Sequence, residues 1–191
     1  MLAASALLEA PAPPSLYAGL LGAEWEGLPL RVRQLHGEGL ARGLFLVRRG
    51  PGWLIALVGA LLRLPPAGED VPTRLQVRSE GAEQSWERAF GAHALVTRQH
   101  VWPGGLLAER LGAVTCVFRL RAEGRGLRYE QVGAWLCLGP LRLRLPSALA
   151  PRIEAEALDS PEGMRVNVRI AAPLLGRLVS YEGCVLPEES P

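Results

Sequence analysis

The run Trp53-Leu-Ile-Ala-Leu-Val-Gly-Ala-Leu-Leu-Arg-Leu64 stands between Pro51-Gly52 and Pro65-Pro66, and how it is read decides the rest of the fold. Prolines punctuate both ends as they would a helix, and twelve residues is long for a strand. Coiled, it rises about 18 Å against a hydrocarbon core of about 30 Å, too short to span a bilayer. It is apolar on every side, with Arg63 its one charge. A helix of that kind is predicted to be buried all round. Leaving five of its large side chains wet would forfeit roughly 8–15 kcal/mol, as much as the net stability of a domain. The rest of the chain must therefore cover it.

The cover reads as β. Leu44–Arg49 precedes the helix, and Thr73–Arg78, Val114–Arg121, Leu141–Leu145 and Met164–Ile170 alternate apolar and polar residues with period two. Shorter runs at Ser85–Phe90, Leu95–Val101, Ile153–Leu158 and Leu178–Leu186 bring the count to eight to ten strands. Turn signals such as Pro103-Gly-Gly105, Glu123-Gly-Arg-Gly126 and Asp159-Ser-Pro161 separate them. Short strands on short turns predict an antiparallel sheet. Val132–Leu138 is apolar on both faces and is expected to be a central, doubly covered strand. The expected class is α+β, mainly antiparallel β: a strongly curved sheet or partial barrel wrapped around the 53–64 helix. A short N-terminal helix, 16–22, opens it, with Ser15 as N-cap and a turn-like piece at 25–29 behind it.

At 191 residues the chain fits one domain, 15–186, with a flexible lead-in at 1–14 and a flexible tail at 187–191. The lead-in has no positive n-region, and Glu9 interrupts its apolar stretch, so a secretory signal is not expected. Cys116, Cys137 and Cys184 are far apart, odd in number and set among apolar neighbours, which fits free thiols in a reducing, cytoplasmic setting. All 21 basic residues are arginine, but 19 acidic residues are spread among them and no basic run forms. A phosphate-binding face needs a local excess of positive charge, so no nucleic-acid partner is expected. No transmembrane segment is expected either.

Few motifs carry chemistry. His36-Gly-Glu-Gly-Leu-Ala-Arg-Gly43 is one residue too long for the dinucleotide fingerprint and lies in no βαβ unit. His36, His93 and His100 form no metal set, and neither a nucleophile elbow nor a Cys-x-x-Cys is present, so no metal, cofactor or catalytic residue is assigned. Three positions remain as binding candidates. His36 sits at a glycine-flanked turn where a side chain can be presented to a pocket. Glu109 and Arg110 are adjacent in an extended segment, so one of the two must face inward. An edge ion pair is the plainer reading of that pair, and Tyr181 and Glu182 are likewise weighed between an edge role and an inward one.

One ordered set of motifs runs through the chain: Leu16-Tyr17, Leu20-Leu21-Gly22, Trp25, Leu28-Pro29, Leu35-His36 and Val47-Arg48-Arg49-Gly50. It continues with Leu64-Pro65-Pro66-Ala67-Gly68, Trp86-x-Arg88-x-Phe90, Glu109-Arg110-Leu-Gly112, Pro146-x-Ala-Leu-Ala-Pro151 and Pro173-Leu-Leu-Gly176 through Tyr181-x-Gly183. In order and spacing these resemble the bacterial family known as domain of unknown function 4166, over about residues 15–186. The resemblance brings no activity and no catalytic residue with it. Such domains occur alone or joined to NAD(P)-binding dehydrogenase-like modules and membrane segments, which implies an accessory or ligand-presenting role.

The surplus of apolar surface with a few polar residues near turns is the composition of a pocket. It predicts a non-catalytic binding domain for a small lipophilic ligand. The alternative is an interaction module that docks on an NAD(P)-dependent oxidoreductase or a membrane surface through the apolar helix or the arginine-rich sheet face. A third reading is an enzyme using Glu109, Arg110 or His36 as acid–base groups.

Overall fold

The structure, a computed structural model, describes residues 15–188. The expected lead-in at 1–14 and positions 189–191 of the expected tail lie outside the described residues. Three short helices, α1 (Leu16–Leu21), α2 (Ala23–Glu26) and α3 (Leu30–His36), lead into β1 (Gly39–Arg49). Helix α4 (Trp53–Leu61) follows. Ten further strands then run without another helix: β2 (Gly68–Glu80), β3 (Glu83–Phe90), β4 (His93–Trp102), β5 (Leu106–Leu111), β6 (Val114–Glu123), β7 (Gly126–Leu138), β8 (Leu141–Arg144), β9 (Arg152–Ser160), β10 (Gly163–Ala172) and β11 (Gly176–Glu188).

All pairings are antiparallel. The sheet runs β6-β5-β4-β3-β2-β1-β11-β10-β9-β7-β8, and the further β6–β7 pairing closes ten of the strands into a barrel. Strand β7 is where closure happens: its first half pairs with β9, its second half with β8, and β6 lies along its other edge. It is bonded on both edges, as a central strand should be, but Leu138 is exposed and the doubly covered strand expected there is not found. The two long strands β1 and β11 approach closely at Gly43 and Gly183, where a Cβ would run into the Cys184 and Leu44 carbonyls. Only glycine permits that approach.

The two ends of the barrel are closed differently. At the end where β1 begins, α1 to α3 form a plug whose Tyr17, Leu21, Trp25, Leu28, Val32 and Leu35 are buried. Ser15 caps α1 as expected, its hydroxyl accepting from the Ala18 N–H at 3.3 Å. Arg31 of α3 ties the plug to the rim, donating to Asp159 at 3.0 Å and to the Ser160 carbonyl at 2.6 Å. Sequence reading missed α2 and α3, because each is under two or so turns and neither starts with a side-chain cap.

At the opposite end α4 lies across the mouth. The expected helix is present, shorter than 53–64, but the sheet does not wrap around it. Ile55 and Gly59 are buried, whereas Trp53, Leu54, Leu57 and Leu61 are 74%, 43%, 59% and 80% exposed. A helix apolar all round can be buried on one face and bare on the other, and periodicity does not separate those cases. The interior it was expected to fill is taken partly by the plug and partly by a cavity. Among the described residues no helix is long and apolar enough to cross a membrane.

Candidate functional site

Between the plug and α4 lies a cavity of about 290 Å³. Its walls are the inward side chains of the strands, among them Phe45, Leu75, Phe90, Phe118, Val166 and Ile170, and Val58 of α4 and Leu62 just after it roof it. Period-two alternation places these residues. In β3, Trp86, Arg88 and Phe90 share the inner face; in β4, Leu95, Thr97 and Gln99; in β5, Leu107, Glu109 and Leu111. Three adjacent strands thus each set a polar group among inward apolar ones.

Those polar groups meet. The Arg88 guanidinium donates to the Thr97 hydroxyl at 2.8 Å and to Glu109 Oε1 at 3.2 Å, and the Thr97 hydroxyl donates to the same Oε1 at 2.7 Å. The pair is mostly shielded, with 16% of the Arg88 side chain and 21% of the Glu109 side chain exposed. Burial alone would lower the Arg88 pKa, but the Glu109 carboxylate and the nearby ring hydroxyls of Tyr181, Tyr17 and Tyr129 more than offset it and hold the pKa raised. Glu109 Oε2 makes no hydrogen bond or ion pair within the described residues. Cys116 also lines the cavity, its thiol pushed up to about 12 by burial and by Glu109.

A second polar group rises from the plug. His36, the last residue of α3, is buried; its Nδ1 lies 2.7 Å from the Val32 carbonyl and its Nε2 3.0 Å from the Tyr129 hydroxyl. Burial lowers its pKa to about 4, the Val32 carbonyl opposing and Arg88 adding to the effect, so the ring is neutral. A carbonyl can only accept, so Nδ1 carries the proton and Nε2 accepts from Tyr129. The Tyr129 oxygen is 2.9 Å from that of Tyr17, and Oε1 of Gln99 stands 2.8 Å from Tyr17. Two hydroxyl protons cannot fill three contacts. The set is complete when the Gln99 amide is turned so that its nitrogen faces Tyr17, a rotation that leaves the side-chain shape unchanged. Protons then point one way, from Gln99 through Tyr17 and Tyr129 to His36 and Val32. Burial raises the pKa of both tyrosines, so both hydroxyls stay protonated.

Of the three sequence candidates, the structure brings His36 and Glu109 into one cavity and sends Arg110 out. The Arg110 side chain is exposed and its Nε donates to the Gly112 carbonyl at 2.9 Å. Tyr181 faces in, and Glu182 faces out beside Arg48 at 3.8 Å. Sequence reading passed over Arg88, Thr97, Gln99, Tyr129 and Tyr17 as site residues. A signal was there for Arg88: two residues from both Trp86 and Phe90 in an alternating run, it must share their face. None existed for Tyr17 and Tyr129, which are 112 residues apart. Among the described residues no three metal-ligating side chains converge.

A family model described as Domain of unknown function (DUF4166) matches residues 28–185. That span takes in His36, Arg88, Glu109 and Tyr129 and leaves α1 and α2 outside. No curated protein and no solved structure matches the chain.

Proposed function

The chain belongs to the DUF4166 family, and we propose that its barrel is a binding domain for a small lipophilic molecule with one uncharged polar end. The observation that carries this reading is the cavity of about 290 Å³, apolar in its walls yet holding the Arg88–Glu109 pair. Small-molecule sites begin at roughly 300 Å³ and combine apolar walls with a few fixed polar groups. An empty apolar space of that size costs on the order of 7 kcal/mol relative to a filled one, comparable with the net stability of a domain. An occupant would recover part of it.

The polar floor suits recognition better than catalysis. Both His36 nitrogens are engaged and the ring is neutral; the tyrosine hydroxyls are held protonated. Glu109 cancels the charge of Arg88 at close range, so a free carboxylate would gain little there. A hydroxyl meets both, its oxygen accepting from the remaining Arg88 donors and its proton going to Glu109 Oε2, whereas a carbonyl meets the Arg88 donors alone.

Native mass spectrometry of gently purified protein is expected to show a bound small molecule. Displacement of an anilinonaphthalene dye should be stronger with a medium-chain alcohol or a quinol than with the fatty acid of equal length. Protein that is empty and indifferent to dye and to all of these ligands would refute the reading.

A further inference from the structure

The apolar surface of the molecule is concentrated at the α4 end. Nine of the fourteen exposed large hydrophobic side chains among the described residues stand there. Four are the outward residues of α4, Trp53, Leu54, Leu57 and Leu61. The β7–β8 hairpin adds Leu138, Leu141 and Leu143, the segment before β9 adds Leu149, and the β10–β11 turn adds Leu174. Register places all of these at the mouth: Leu138 faces Leu141 at the hairpin end, β9 starts at Arg152 opposite Ala171, and β11 starts opposite Ala172.

Charge follows the same axis. Arg63, Arg110, Arg152 and Arg177 lie on the mouth end, all exposed and none in an ion pair among the described residues; Arg142 and Arg144 rise from the same hairpin, with their guanidiniums over the rings of Trp102 at 5.6 Å and Trp135 at 5.7 Å. Against them the mouth sets Glu69 and Asp70, with Glu154 engaged by Arg169 at 3.5 Å. At the plug end the charges are largely paired. There Arg31 and Arg125 share Asp159, Arg42 and Arg74 share Glu188, and Arg128 meets Glu123 and Glu156. Glu24, Glu38, Glu80, Glu83 and Glu162 add negative charge at that end, and Arg78, Arg119, Arg121 and Arg165 add positive charge against it. Among the described residues the positive excess is thus gathered at the apolar mouth end, and the charges of the other end nearly cancel.

We infer that the mouth end docks on the surface of an anionic lipid bilayer. The two features together select this occupant. An apolar crown alone fits a second copy or another protein, but a symmetric contact between two copies would face these arginines against one another. A bilayer supplies apolar depth for Trp53, Leu57 and Leu61 and phosphate for the surrounding guanidiniums in one surface. The excess of positive charge at the mouth orients that end toward it. Docking stands apart from what fills the cavity; entry of a lipophilic molecule from the bilayer past α4 would follow only if the cavity reading also holds.

The test is co-sedimentation of the full chain with vesicles of pure phosphatidylcholine and of phosphatidylcholine with one-quarter phosphatidylglycerol. Binding to the anionic vesicles at least tenfold stronger, weakened by about 0.5 M salt, is expected, with blue-shifted tryptophan emission that is lost in Trp53→Ala. Leu57→Asp with Leu61→Asp, both at exposed positions, should remove binding, and Arg152→Glu with Arg177→Glu should remove the preference for anionic lipid. Leu30→Asp on the plug should change nothing. Failure to bind either vesicle overturns the inference, as does equal binding to both. A dimer in solution dissolved by Leu57→Asp overturns it in favour of a second copy. Cavity occupancy is read separately by mass spectrometry, so either proposal can fail alone.

Discussion

The Arg49 guanidinium lies over the bare Cα of Gly59 and fastens α4 to the barrel. It donates to the carbonyls of Leu64 at 3.2 Å and of Ile55 and Pro65 at 3.3 Å. A Cβ at position 59 would occupy the place of the guanidinium, so the glycine is what lets strand β1 reach the helix that follows it. The last turn of α4 and the chain leaving it are held by one side chain from the strand before.

Gly59→Ala and Arg49→Met are therefore expected to act alike. Alanine favours the helix by about 1 kcal/mol, yet its methyl displaces the flexible end of Arg49 and releases the latch. Either change should speed amide exchange across α4 by about tenfold, the effect of losing roughly 1–2 kcal/mol of local hydrogen bonding. The double variant should exchange no faster than Arg49→Met alone, because both remove one interaction. Additive effects in hydrogen exchange would show that Arg49 does not act through Gly59.

Breaking the Arg88–Glu109 pair on one side should cost more than removing it whole. Glu109→Leu leaves a guanidinium among apolar walls and is expected to destabilise by about 2–4 kcal/mol, with partial exposure to the cavity keeping it below a fully buried case. Arg88→Met with Glu109→Leu should recover most of that loss in urea midpoints. The same double variant should lose any preference for an alcohol over a plain hydrocarbon. Equal stability of single and double variants would show the pair to be solvated.

His36 makes stability depend on pH in a defined direction. The unfolded ring takes a proton near 6.5, the folded one near 4. Between these values the unfolded chain binds the proton and the folded chain does not, so stability falls as pH drops through the window. Above about 6.5 the contribution is complete, and below about 4 this group causes no further loss. Its full depth is on the order of 3 kcal/mol. Urea titrations from pH 7.5 to 4.5 should show a slope that is reduced in His36→Gln; an unchanged slope would place the ring in contact with water.

Filling the cavity should separate stability from binding. Val166 lines the wall, and Val166→Phe adds atoms where the chain leaves space. Reclaiming a few tens of Å³ is worth roughly 1 kcal/mol. The variant is expected to melt at or above the wild-type temperature while binding the dye at least tenfold more weakly. Unchanged dye affinity would locate the dye elsewhere, on the exposed face of α4 in the first instance.

Local sequence patterns determined the antiparallel β character and most strand positions through period-two alternation, the N-cap at Ser15 through its side chain, and the helix within 53–64 through its flanking prolines and length. These rest on interactions between near neighbours in sequence, and such signals survive without knowledge of the partner. Alternation also required that only one of Glu109 and Arg110 face inward, and could not say which. The closure of the barrel was decided in three dimensions, because β7 pairs with β6 beside it and with β9 across the chain, and pairing partners leave no mark in a single sequence. The same holds for the floor of the cavity, where Tyr17, Gln99, Tyr129 and His36 come from four separate elements. The apolar 53–64 segment misled in its burial for a related reason: hydrophobicity measures the free energy of leaving water, and does not name what the side chain leaves it for.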